Sequence, residues 1–169
     1  MNKLILDFGT WLTEKVIKLA NTIISIMFNT DHLHPMIVHF PIALITVGFF
    51  AEVASLFFKS EKCLSKTGFY LMVLGSLAAI AAWSSGHLFT EGPTQGEILK
   101  VFLKHETGAL VTMILIIAGT IFRIWLMVKK KEETPLKWIV FGFYLLAFIA
   151  VTFTGFMGGT MVYDFMMGQ

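Results

Sequence analysis

Four long apolar stretches decide what this chain can fold into: Met36–Phe58, Gly68–Leu88, Thr107–Val128 and Trp138–Met157. Each has about the 20 residues that a helix needs to cross the hydrocarbon core of a bilayer. Backbone N–H and C=O groups find no water there, so such segments must satisfy their hydrogen bonds internally, as helices. The connections are short, which predicts an up-down-up-down arrangement. The fold expected is an all-α integral membrane protein: a four-helix transmembrane bundle with an N-terminal amphipathic interfacial helix. Composition agrees, since 56% of the 169 residues are hydrophobic and only 14% charged.

The division expected is an interfacial helix over residues 1–30 and a four-span membrane domain over 31–169. In the first part Lys3, Asp7, Thr10, Glu14, Lys18, Asn21 and Ser25 recur at steps of three or four, one polar stripe on a helix. Leu4, Ile5, Phe8, Trp11, Leu12, Val16, Ile23 and Ile24 make the other face. A helix of this kind lies in the membrane interface, as an anchor or as a docking surface for a partner. It does not read as a signal peptide, because Asp7, Glu14, Lys15 and Lys18 interrupt any apolar core. Thr94 and Glu97 have capping-box spacing, which predicts a helix start ahead of the third span.

Basic residues predict sidedness. Lys59, Lys62, Lys66, Arg123, Lys129, Lys130, Lys131 and Lys137 gather at one end of the spans, against Lys100 and Lys104 at the other. The Lys-rich loops are then cytoplasmic and the opposite end periplasmic. A net charge of +2 gives no reason to expect nucleic acid as a partner. The lone cysteine, Cys63, falls on the cytoplasmic side as a reduced, inert thiol.

Alternating spans bring four of the five histidines to one end. His34 and His39 open the first span, His87 closes the second and His105 opens the third. Ionisable groups at membrane depth mark functional sites by default, and imidazole is a common metal and haem ligand. His39 lies five residues past His34, about 7.5 Å deeper, and the two do not share a helix face. Pro35 suits a first helical turn, while Pro41 frees the carbonyl of Ile37 and predicts a bend near His39.

The string HPMIVHFPIAL, from His34 to Leu44, resembles the opening signature of a family of small bacterial membrane domains catalogued as domain of unknown function 2231. Gly86-His87, His105 and the closing Gly158-Gly159-Thr160-Met161-Val162-Tyr163 resemble it too. The resemblance covers about Asp31 to Asp164 and leaves out the first thirty residues; Asp164 departs from the family's usual tail. Domains similar to this one occur joined to Rieske iron–sulfur or c-type cytochrome modules. That implies a redox setting in the bacterial inner membrane.

Three readings of the histidine end stay open. In the first, the chain is a membrane-embedded electron-transfer subunit binding one haem b. His39 and His105 are its axial pair, His87 is the substitute, and His34 supports a propionate or a partner. Small residues at Gly86, Gly155, Gly158 and Gly159 would let a macrocycle lie against backbone. In the second, His39, His87 and His105, with Glu106 or Asp164, hold zinc, copper or iron; Met36, Met157, Met161, Met166 and Met167 favour copper(I) within that option. In the third there is no cofactor, and the chain is a structural or assembly subunit of a larger complex. The expected partners are the lipid bilayer and other membrane redox subunits, a periplasmic cytochrome or Rieske protein, with a quinol link. An electron carrier or accessory subunit fits better than a stand-alone enzyme. Nucleophilic catalysis has no Ser–His–acid spacing to support it, and Ser84 and Ser85 read as packing residues.

Glu52 and Arg123 are the other intramembrane charges. Glu52 lies 18 residues from His34, and Arg123 lies 18 from His105. Eighteen residues make five full turns, about 27 Å. Both charges therefore share a depth far from the histidines, and the expectation is a structural ion pair.

Overall fold

The computed structural model describes residues 11, 13–19, 30–89 and 92–166. The described residues are helical apart from short connections. Helix α1 is described over 13–19, where every residue is exposed, with the Lys15 ammonium 5.9 Å from the centre of the Trp11 ring. Most of the polar stripe predicted for residues 1–28 lies outside the described residues, as does Met167.

Next come α2 (Thr30–Ile37), α3 (His39–Phe57), α4 (Lys62–Phe89), α5 (Gly96–Val128) and α6 (Lys137–Thr160), followed by a π-helical turn at Met161–Met166. Four of the resulting segments are long and apolar enough to cross a membrane: His34–Phe57, Lys62–Leu88, Gly96–Val128 and Lys137–Phe165. The first is made of α2 and α3, interrupted at Val38. Pro41 has no N–H to offer the carbonyl of Ile37, and the α2 ladder stops at that residue.

The long helices form a ring in which α3 packs on α4, α4 on α5, α5 on α6, and α6 closes on α3. Ile45 and Phe49 of α3, Met72 and Ala79 of α4, Ile116 and Leu126 of α5, and Tyr144, Ala147 and Val151 of α6 fill the centre. Lipid tails are as apolar as these side chains, so close packing must hold the helices together. Glycine supplies it where helices cross. A Cβ on Gly119 would lie 2.9 Å from Cβ of Phe143, and one on Gly48 would collide with the Tyr144 hydroxyl. The exposed residues are mainly large and apolar (Phe40, Phe50, Leu77, Ile114, Ile121, Leu146 and Phe156), as a lipid-facing surface requires.

The 33 residues of α5 extend about 50 Å, well beyond the hydrocarbon thickness of about 30 Å. The first turns of α5 therefore stand outside it, carrying the Glu97–Lys100 ion pair at 2.7 Å. The capping box expected from Thr94 and Glu97 does not form. Gln95 occupies the cap with no side-chain bond, Gly96 turns the chain at φ +82°, and Glu97 is drawn to Lys100.

Candidate functional site at the histidine end of the bundle

His34, His87 and His105 reach the same end from α2, α4 and α5, and each is tied to a neighbouring helix. His34 Nδ1 lies 2.9 Å from Ser85 Oγ of α4, His87 Nδ1 lies 3.2 Å from Glu106 Oε1 of α5, and His105 Nδ1 lies 2.9 Å from the Thr154 carbonyl of α6. His39 turns back on its own chain, with Nδ1 2.6 Å from the Pro35 carbonyl. The side chain of His32 lies outside the description.

Three of these partners fix a ring proton. A carbonyl or a carboxylate only accepts, so His39, His87 and His105 each donate through Nδ1–H. The Ser85 hydroxyl lies 2.9 Å from both the Ala82 carbonyl and His34 Nδ1, so its one proton serves either of them. His39, His87 and His105 thus carry a proton on Nδ1. Histidines that ligate metals are arranged this way, with the second nitrogen held by a carboxylate, carbonyl or hydroxyl.

The four are not equivalent in position. His34 and His105 are half-buried, while His39 and His87 are exposed. His34 and His105 also sit close enough for their charges to interact. Each lies over a glycine: a Cβ on Gly86 would be 2.7 Å from His34 Cε1, and one on Gly158 would be 3.3 Å from His105 Cε1. The structure thus brings His34, rather than His39, to the side of His105. His39 lies on the outer surface one turn on.

Among the described residues, no three of His, Cys, Asp and Glu are grouped to hold a metal ion. Glu106 is taken up by His87, and Asp164 is exposed on the π-helical turn. Ser85 and Thr154 were not singled out as imidazole partners from sequence. The only sequence signal for Ser85 is a small polar residue immediately before Gly86-His87.

At the opposite end Arg123 Nη1 donates to Glu52 Oε1, and the two side chains are 10% and 14% exposed. Arg123 Nη2 donates to the Ser65 carbonyl at 2.9 Å and to its hydroxyl at 2.8 Å, and the guanidinium lies over Phe69. Ile45, Met72 and Ile116, all fully buried, stand between this cluster and the histidines. The middle of the bundle is thus mainly apolar, its buried hydroxyls being the Ser76–Thr120 pair at 2.8 Å, Thr112 bonded to the Gly108 carbonyl, and Tyr144, which has no partner among the described residues.

A family model described as "Predicted membrane protein (DUF2231)" matches residues 30–169. No curated protein and no solved structure matches the chain significantly.

Proposed function

The chain belongs to the DUF2231 family of predicted membrane proteins, and we propose that it is an electron-transfer subunit holding one haem b between His34 and His105. The observation that carries this reading is a pair of half-buried imidazoles at one end of the bundle, each bonded through Nδ1 to a neighbouring helix. Two such ligands fall short of the three or four that a protein-only zinc or copper site takes. Two imidazoles are the number of protein ligands that a b-type haem would take. Gly86 and Gly158 let the rings of His34 and His105 pack against α4 and α6, where a Cβ would meet them.

A haem bound there supplies one-electron redox chemistry. The chain's own contribution is to orient and to exclude. Ser85 and the Thr154 carbonyl hold the two rings and raise the basicity of Nε2, and the apolar layer of Ile45, Met72 and Ile116 keeps water from crossing beneath them. Sidedness follows from the lysines: Lys59, Lys62, Lys66, Lys129, Lys130, Lys131 and Lys137 stay in the cytoplasm of a bacterial inner membrane. The histidine end then meets the periplasm, where a cytochrome or Rieske protein takes the electron, and a quinol is the fitting membrane donor.

The test is the visible spectrum of the purified full chain. The expected result is a Soret band, with sharp α and β bands on reduction, at one haem per chain. Full recovery of folded protein without these bands would leave a cofactor-free assembly subunit as the better account.

A further inference from the structure

We propose that Trp125, Lys129, Lys130 and Lys131, where α5 leaves the membrane, seat the phosphate of an anionic phospholipid of the phosphatidylglycerol type. The seat lies at the end opposite the histidines, and its ligand follows from charge and hydrogen-bonding capacity alone.

The third span ends at Val128, and three lysines follow it directly. Lys130 takes a left-handed conformation (φ 53°). The N–H groups of Lys130 and Lys131 bond back to the carbonyls of Met127 and Leu126, at 3.0 and 2.8 Å. This is the Schellman close of a helix, in which glycine usually holds the left-handed position. The reversal brings Lys131 back onto α5, with its Nζ 5.8 Å from the centre of the Trp125 ring. Trp125 stacks on Phe122, at 5.6 Å between centroids and 15° between planes, and is 42% exposed. Ile121 and Val128, four residues before and three after Trp125, share its helix face and are exposed too. Trp125 therefore faces lipid in the last turn of the span, at the level where interfacial aromatics sit. Snorkelling carries a lysine's ammonium outward into water. Lys131 is instead turned back along the lipid-facing side of the helix.

Every side-chain group of this seat is a donor. Ammonium groups and the indole N–H donate and cannot accept. Among the described residues the Trp125 indole makes no hydrogen bond and the three lysines make no ion pair, although Glu132 and Glu133 come next in the chain. What completes the seat is an acceptor with net negative charge, held at the membrane surface above apolar chains. A phosphodiester headed by glycerol meets all three conditions. Choline and ethanolamine lipids present the same phosphate but set a cation of their own against three ammonium groups.

The test is quenching of Trp125 fluorescence, with the full chain in nanodiscs, by lipids brominated on their acyl chains. Brominated phosphatidylglycerol is compared with brominated phosphatidylcholine at fixed ionic strength, and subtracting the signal of Trp125→Phe isolates Trp125. Phosphatidylglycerol should occupy the seat about fivefold more readily, the worth of one lysine beside an anionic membrane surface. Lys129→Gln, Lys130→Gln and Lys131→Gln together should bring the ratio close to one, while Lys131→Arg alone should keep it. Lys59→Gln, Lys62→Gln and Lys66→Gln together should leave it unchanged, because those lysines stand at the turn between α3 and α4. Equal quenching by the two lipids would overturn the proposal. So would an equal loss in both triple variants, which marks a diffuse attraction to the whole lysine end. Displacement of brominated phosphatidylglycerol by inorganic phosphate would overturn it as well, since it marks a site for a soluble anion.

Discussion

Ser85 holds one hydroxyl between the Ala82 carbonyl and His34 Nδ1, 2.9 Å from each. The Thr154 and Pro35 carbonyls and the Glu106 carboxylate only accept, so they hold a proton on Nδ1 of His105, His39 and His87. The tautomer is thus a property of the neighbours, and changing a neighbour should change the ligand. Ser85→Ala leaves His34 without its hydrogen-bond partner at almost no cost in packing. The expected effect is a 10–100-fold loss of haem affinity, the usual range for removing such a partner, with the fold intact. Haem titration of the purified variant measures it, and unchanged affinity would show that His34 is not a ligand.

Helices α3, α4 and α5 are joined at the lysine end by a single charge cluster. Arg123 reaches Glu52 on α3 and Ser65 on α4 in one fork, a use that suits a planar guanidinium. Removing one partner strands a charge inside the bundle. Glu52→Leu or Arg123→Leu alone should cost about 3–5 kcal/mol, and the double variant should recover most of it. Reversible unfolding in mixed micelles measures all three, and single variants as stable as the parent would show that the pair does not fasten these helices. This cluster was legible in the sequence because eighteen residues is a whole number of turns, which sets both charges at one depth. The spans were legible from length and apolarity. The face of each histidine was not. Sequence puts His34 and His39 on different faces, but which of them turns inward depends on Ser85, 51 residues from His34, and on the hollow over Gly86. The Thr94–Glu97 box was misread for a similar reason, since Gly96 and Lys100 override a spacing that is only local.

The whole molecule is polar at both ends and apolar between them, with no buried ladder of ionisable groups linking the two among the described residues. Under the proposed reading, electrons would enter and leave at one membrane face, near the histidines. The proposed haem site depends on His34 and His105 being its two ligands. The most direct measurement is low-temperature electron paramagnetic resonance of oxidised His34→Ala, His39→Ala, His87→Ala and His105→Ala proteins beside the parent. The account predicts that the low-spin signal of a two-imidazole haem disappears in His34→Ala and His105→Ala and persists in His39→Ala and His87→Ala. Loss of the signal in His39→Ala, with His34→Ala unchanged, would contradict it.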